Sequence, residues 1–90
     1  MAVCLVINVP GGTLEQYNQV RGALSAPLGE GQISHVAGAT ADGICVVDVW
    51  ESRAAFDRFM AEEIGEQLAR AGVPQPQISE FEVHASEYRG

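Results

Sequence analysis

Apolar and polar positions along the chain switch between strand-like and helix-like spacing. A β-branched apolar run over residues 2–9 predicts a buried strand, which ends at Pro10 because proline has no amide hydrogen to donate to a sheet. Apolar residues then recur at helical spacing and predict a helix over residues 14–25. Thr13 and Gln16 have the spacing of a capping box, so the helix is expected to begin there.

The rest of the chain predicts two successive strands, a second helix and a last strand. The strands are expected at residues 32–38 and 44–50, with a short turn between them. Ser52 is a candidate N-cap for the second helix, and Gly72 suits the left-handed position after it. The expected buried stripe of this helix consists of Phe56, Phe59, Met60, Ile64 and Leu68. Residues 77–85 alternate as a fourth strand does.

This order of elements, βαββαβ, is typical of a ferredoxin-like α+β fold. In that fold a four-stranded antiparallel sheet carries both helices on one face, and right-handed crossovers place the first and third strands in the centre. A length of 90 residues is that of one domain, so residues 1–90 are expected to form a single ferredoxin-like domain.

The third strand presents two different faces. One face is uniformly apolar and the other also carries a carboxylate and an indole; the first set is Cys45, Val47 and Val49, and the second is Ile44, Val46, Asp48 and Trp50. The uniformly apolar set is expected under the helices, which leaves the mixed set on the bare face. That face is too apolar for solvent, so we expect a second copy of the sheet to cover it in an obligate homodimer. The space between the two sheets, with Asp48 and Trp50 in it, is the expected ligand pocket.

Composition and charge exclude several classes of partner. The formal net charge is -7, with five arginines and no lysine, which argues against nucleic acids and anionic membranes. No apolar run approaches the roughly 20 residues of a membrane span. Cys4 and Cys45 lie in predicted strands, where free thiols behave as small apolar groups. With no secretory segment in view, we expect an acidic cytoplasmic protein with reduced cysteines.

Asp48 and His35 are the candidates for acid–base chemistry. A carboxylate on a central strand costs several kcal/mol unless it is hydrogen-bonded or paired. Asp48 is therefore either a structural group, paired for example with Arg53 or Arg58, or a proton acceptor. His35 is either a structural histidine or, if it shares a face with Asp48, part of a carboxylate–imidazole pair suited to general base catalysis.

Trp50 and Asn8 are the candidates for substrate contact. Trp50 can stack on a planar substrate or can fill the end of the sheet as a packed side chain. Asn8 can position a substrate or can hold the bend that follows the first strand. His84 alternates with Glu80 and Glu82, a pattern that favours an acidic, solvated edge over a metal site, so no metal is predicted.

The segments CVVDVWES, RAAFDRFM and NVPGGTLEQY resemble the dimeric α/β-barrel superfamily, and within it the small antibiotic-biosynthesis-monooxygenase-like domains. The pattern Trp-x-Ser-x-x-Ala-Phe over residues 50–56 is the most specific part. The resemblance implies cofactor-independent oxidation of polycyclic phenols in a pocket between sheet and helices. In a related heme-degrading branch, a first-strand asparagine and a tryptophan ending the third strand are functional, as Asn8 and Trp50 would be. That branch also needs a histidine on the second helix, and residues 52–71 contain none.

The sequence therefore predicts a small-molecule pocket protein and homodimer. Its expected activity is that of a cofactor-independent monooxygenase acting on a planar phenolic or polycyclic metabolite. His35 and Asp48 would be catalytic, and Asn8 and Trp50 would bind the substrate. Two alternatives stay open: a non-catalytic binder of a small hydrophobic ligand, and a structural homodimer whose pocket is filled by side chains.

Overall fold

A four-stranded antiparallel sheet carries the helices in residues 1–89, which the computed structural model describes; Gly90, the last residue of the predicted domain, lies outside the described residues. The elements are β1 (Val3–Pro10), α1 (Leu14–Gly22), β2 (Gln32–Ala39), β3 (Gly43–Trp50), α2 (Arg53–Phe59), a π-helical turn (Met60–Ile64), α3 (Gly65–Ala71) and β4 (Gln77–Glu82). The strand order is β2-β3-β1-β4. The predicted ferredoxin-like α+β fold, with β1 and β3 in the centre, is confirmed.

Both helices begin, and the second ends, where the capping residues predict, whereas α1 ends at Gly22 and not at residue 25 as predicted. The Thr13 hydroxyl accepts a hydrogen bond from the Gln16 amide at 3.1 Å, and the Gln16 side chain accepts one from the Thr13 amide at 3.1 Å. The Ser52 hydroxyl accepts from the Ala55 amide at 3.1 Å. Gly72 adopts a φ of 69°, a conformation that glycine takes without a steric penalty. These contacts satisfy backbone groups that each helix end would otherwise leave unpaired.

The second predicted helix is continuous from α2 to α3, but a π-helical turn interrupts its regular winding. The Gly65 amide donates to the carbonyl of Met60, five residues earlier. A Cβ atom on Gly65 would lie 2.8 Å from that carbonyl oxygen, so glycine suits the wide turn. Met60 and Ile64, at the two ends of the turn, both line the cavity described below. The 3.6-residue pattern of the sequence contains no signal for this turn.

The helices cover the face of the sheet that carries Asp48 and Trp50, so the predicted assignment of faces was wrong. Trp50 is 0% exposed, and its ring packs against Phe56 and Phe59 with centroid distances of 5.7 and 5.1 Å. The prediction compared the two faces by polarity alone. In the structure Phe56 and Phe59 pack against the indole of Trp50. Neighbouring side chains donate hydrogen bonds to the Asp48 carboxylate. The chain's own helices therefore cover this face, including Ile44 and Val46, and no second copy is needed for that. The cavity on this face lies between sheet and helices, so the expectation of a pocket between two sheets was wrong.

The main hydrophobic cluster occupies one end of the space between sheet and helices. Its buried members are Val3, Leu5, Trp50 and Phe56. The loop before β2 closes over this cluster because it contains Gly29 and Gly31. A Cβ atom on Gly29 would lie 2.6 Å from the Phe59 ring and 3.0 Å from the Trp50 ring. Gly31 has a φ of +86°, which disfavours other residues. The other end of the space is left for the cavity.

The face of the sheet opposite the helices, here called the outer face, is largely apolar. Alternation along the paired strands places there Cys4, Val6, Val36, Cys45, Val47, Val49 and Phe81. Val36 is 67% exposed and Phe81 is 57% exposed. The uniformly apolar set that was expected under the helices is thus the set that faces outward. Among the helices of residues 1–89, none has the length and apolar character of a membrane span.

We expect Gly43→Ala to destabilise the fold, because a Cβ atom at Gly43 would overlap the backbone carbonyl of Val9 on the adjacent strand. A cost of about 1–3 kcal/mol in the free energy of unfolding is typical of such overpacking. Gly38→Ala is the matched control, since a Cβ at Gly38 meets no atom within 4 Å. Urea denaturation of both variants measures the difference, and equal stabilities would contradict the described approach of β1 to β3.

Candidate functional site

A cavity of about 140 Å³ lies between the helices and the sheet, beside the hydrophobic cluster, and is partly open to solvent. Its walls are mostly aliphatic and aromatic and include Ile7, Val9, Val20, Ile44, Val46, Phe56, Phe59, Met60, Ile64, Leu68 and Ile78. The side chains of Tyr17, His35 and Asp48 bring polar groups into this apolar lining. The volume is close to the roughly 150 Å³ of an apolar cavity that holds benzene. The space is therefore suited to an aromatic ring.

His35 and Asp48 share the face of the sheet that lines this cavity. They are directly opposite each other in the β2–β3 pairing. His35 Nδ1 lies 2.7 Å from Asp48 Oδ1, the distance of a charge-assisted hydrogen bond. The structure thus brings together the two residues that the sequence proposed for proton transfer, and register explains why: side chains directly opposite on adjacent strands are the closest cross-strand neighbours.

The second oxygen of Asp48 accepts a hydrogen bond from Trp50. The Trp50 Nε1–H group lies 3.3 Å from Asp48 Oδ2. Asp48 is 5% exposed, so these two donors replace the water that the carboxylate loses on burial. Arginine does not supply this compensation, contrary to one alternative considered from the sequence: Arg53 pairs instead with Asp57 at 2.9 Å and with Glu80.

Tyr17 is a further polar member of this site, which its sequence pattern does not predict. Its hydroxyl oxygen lies 2.6 Å from His35 Nε2, and the two rings are within 9° of parallel. From the sequence, Tyr17 is simply one member of the apolar stripe of α1. The available signal was weak: a tyrosine on a buried stripe usually finds a partner for its hydroxyl. Nothing in the sequence places α1 so that this partner is His35.

The three side chains form a line of two hydrogen bonds, from the Tyr17 hydroxyl to His35 Nε2 and from His35 Nδ1 to Asp48 Oδ1. An ionised carboxylate only accepts hydrogen bonds, so opposite an ionised Asp48 the Nδ1 atom of His35 is the donor. In the tautomer with its proton on Nδ1 alone, Nε2 has a lone pair that accepts the hydroxyl proton of Tyr17. In that tautomer Tyr17 donates to His35, and His35 donates to Asp48. Such an arrangement can move a proton from the cavity toward the buried carboxylate.

Trp50 does not have the exposed ring that the expected stacking role requires. It is 0% exposed, and the lining of the cavity does not include it. The expectation of a substrate-stacking surface is therefore corrected: Phe56, Phe59 and the glycine-containing loop enclose the ring. Trp50 is a packed side chain whose N–H group holds Asp48, as the alternative interpretation proposed.

Asn8 lies apart from the other candidates. It is exposed and pairs with Cys45 across β1 and β3, on the side of the sheet away from the cavity. Its neighbours Ile7 and Val9 line the cavity instead, because successive side chains of a strand point to opposite faces. The expectation that Asn8 contacts a substrate in this pocket is corrected by this alternation.

Two groups outside the cavity lining have shifted pKa values. Burial raises the pKa of the Cys4 thiol above its ordinary 9.0, and the negative charge of Asp48 raises it further. Hydrogen bonding to Asp57 raises the pKa of the Arg53 guanidinium. Among the residues that the structure describes, no group of three or more His, Cys, Asp or Glu side chains is arranged to hold a metal ion.

No protein-family model and no curated protein matches the sequence. Solved structures do match. A candidate antibiotic biosynthesis monooxygenase from Chloroflexus aurantiacus has a TM-score of 0.69 at 17% identity, with 100% of both chains covered. A variant of SnoaB, a cofactor-independent oxygenase from Streptomyces nogalater, has a TM-score of 0.65 at 11% identity over 94% of each chain.

A third match is the monooxygenase ActVA-Orf6 of Streptomyces coelicolor, solved in complex with nanaomycin D. Its TM-score is 0.56 at 22% identity, with 99% of this chain and 92% of that chain covered. At these identities the likeness shows the fold alone. The chain thus has the fold of the antibiotic-biosynthesis-monooxygenase-like proteins, as the resemblance of its sequence implied.

The raised pKa of Cys4 predicts a loss of stability in alkaline solution. The unfolded thiol ionises near pH 9, whereas the folded thiol keeps its proton to higher pH, so the free energy of unfolding falls as the pH rises above 9. Cys4→Ala should remove part of this fall, and Asp48→Asn should reduce it. Denaturation of wild type and variants at several pH values measures the slopes. An unchanged slope in Cys4→Ala would contradict the assignment.

Proposed function

We propose that the protein is a cofactor-independent monooxygenase that oxidises a planar phenolic metabolite. The observation that carries the proposal is the line of hydrogen bonds from Tyr17 through His35 to Asp48, which ends in an apolar cavity between sheet and helices. An ordered base next to an aromatic-sized space fits the removal of a phenolic proton. The likeness to oxygenases of the same fold supports this chemistry.

The reaction needs only the substrate, dioxygen and a base. The His35–Asp48 pair accepts the substrate's hydroxyl proton, and the resulting phenolate delocalises negative charge onto a ring carbon. One electron passes from this anion to dioxygen, and the two radicals combine in a carbon–oxygen bond. Protonation gives a hydroperoxide. Cleavage of its oxygen–oxygen bond with loss of the ring C–H proton forms a carbonyl and releases water. One oxygen atom enters the product quinone, the other leaves as water, and the substrate supplies all the electrons.

The apolar walls have two roles in this mechanism. They exclude water from the substrate anion, so that the anion is not reprotonated from solvent. They also leave the His35–Asp48 hydrogen bond in a medium of low dielectric constant, where it is stronger than in water. Trp50 contributes indirectly, because its N–H group fixes the second oxygen of Asp48 and thereby the orientation of the imidazole.

Asp48→Asn should strongly slow oxygen uptake with 1-naphthol as substrate. The amide cannot accept from both His35 and Trp50, so His35 loses its orientation and its negative partner. A fall in kcat of about 100-fold or more is expected for a lost general base, together with a stability cost of about 1–3 kcal/mol for an unsatisfied buried group. An oxygen electrode measures the first, and urea denaturation the second.

Asp42→Asn is the matched control, because Asp42 is an exposed carboxylate in the turn before β3. It should keep the wild-type rate. Wild-type protein that binds 1-naphthol without consuming oxygen would contradict the proposed monooxygenase activity. The protein would then be a non-catalytic ligand-binding protein. Full activity in Asp48→Asn would contradict the role of the carboxylate.

The working form is proposed to be a homodimer that buries the outer face of each sheet. The support comes from the apolar side chains that this face exposes, with Val36 and Phe81 among them. Each Å² of apolar surface removed from water contributes about 25 cal/mol, so pairing of two such faces is strongly favourable. Both cysteines are free thiols, which supports the further proposal of a cytoplasmic location.

Sedimentation should give a particle of twice the 9.6 kDa chain mass at micromolar concentration. Val36→Asp should produce a folded monomer, because it places a charge on the proposed contact face at a side chain that the single chain leaves exposed. Leu14→Asp, at an exposed position at the start of α1, is the control and should stay dimeric. A wild-type monomer would contradict the proposed interface.

A further inference from the structure

Both ring nitrogens of His35 are engaged before any substrate arrives. Nδ1 bonds to Asp48 at 2.7 Å, and Nε2 bonds to the Tyr17 hydroxyl at 2.6 Å. The imidazole therefore has no free lone pair to present to a molecule in the cavity. A substrate proton can reach the histidine in two ways: the substrate displaces Tyr17, or the proton passes through the Tyr17 oxygen.

We propose that Tyr17 is a catalytic residue that contacts the substrate hydroxyl and passes its proton to His35; this inference rests on the proposed oxygenase function. The Tyr17 oxygen donates its only hydrogen to Nε2, so its lone pairs remain available to accept a hydrogen bond from the cavity. A phenolic substrate has the donor that this position needs.

The proton transfer balances along the line. The substrate hydroxyl bond breaks as its proton moves to the Tyr17 oxygen, while the former Tyr17 proton moves to His35 Nε2. The tyrosine is neutral before and after, the substrate becomes an anion, and the imidazole becomes an imidazolium that the Asp48 carboxylate stabilises. The same line returns a proton to the peroxide formed later, so the protein ends in its starting state.

The helix that carries Tyr17 is held in place at its first turn. Gln16 Nε2 donates to the carbonyl of Gly72 at 3.1 Å, which ties the start of α1 to the end of α3. The same side chain accepts from the Thr13 amide in the capping box. Tyr17 follows Gln16 directly, so these contacts fix the position of its backbone relative to the cavity. This preorganisation supports a role for Tyr17 in which its oxygen stays on His35.

The surroundings of Tyr17 also narrow the class of substrate. The cavity lining within residues 1–89 contains no arginine, and the chain has no lysine. A carboxylate or phosphate would find no cationic partner there and would approach the charge of Asp48. The arrangement selects a neutral aromatic compound of one or two rings that enters the cavity with a single hydroxyl directed at Tyr17.

Tyr17→Phe is the decisive variant, and Tyr88→Phe is its matched control because Tyr88 is 93% exposed. With 1-naphthol and oxygen, Tyr17→Phe should lower kcat about 100-fold, while Tyr88→Phe keeps the wild-type rate. Without oxygen, wild type should bind 1-naphthol about tenfold more tightly than naphthalene. Tyr17→Phe should lose that preference and keep its affinity for naphthalene. Fluorescence titration measures both affinities.

The outcomes separate this inference from the proposed function. A Tyr17→Phe protein that oxidises 1-naphthol at the wild-type rate would overturn the role of Tyr17 and leave the oxygenase intact, with the substrate directly on His35. Wild type that consumes no oxygen but shows the Tyr17-dependent preference would overturn the oxygenase and keep Tyr17 as the ligand contact. Equal wild-type affinity for 1-naphthol and naphthalene would overturn the inference even if Tyr17→Phe failed to fold.

Discussion

Asp48 is a carboxylate on a central strand beneath the helices, and the arrangement of the site depends on how its charge is compensated. One oxygen accepts from His35 and the other from Trp50. Each donor is held by other contacts: the indole by the aromatic cluster, and the imidazole by its strand pairing and by Tyr17. Removing either donor would leave part of a buried charge without a partner, which is among the costlier defects in a small protein.

The same carboxylate marks the boundary between packed core and open cavity. On one side of it, Trp50 fills the space between sheet and helices and the loop with Gly29 closes over the ring. On the other side the helices stand away from the sheet, and the π-helical turn places Met60 and Ile64 along the cavity. The packed core and the cavity thus lie side by side in the layer between sheet and helices. Asp48 lies at their boundary and contacts both.

The sequence predicts the architecture well because local rules determine it. Element order and the caps at Thr13 and Ser52 follow from spacing and turn chemistry, and the central position of β1 and β3 follows from the handedness of the crossovers. It predicts the faces of the sheet wrongly, because polarity alone does not reveal that Asp48 finds donors. His35 and Asp48 could be proposed as partners from their types, whereas their contact required the register of β2 on β3.

The central claim is that a directed line of hydrogen bonds runs from Tyr17 through His35 to Asp48. The tautomer of His35 tests it most directly, and nitrogen-15 NMR of the imidazole side chain reads that tautomer in the folded protein. We expect the ring to carry its proton on Nδ1 and to have an unprotonated Nε2 that accepts from the tyrosine. A proton on Nε2, alone or together with one on Nδ1, would contradict this direction, because Nε2 could then not accept from the tyrosine.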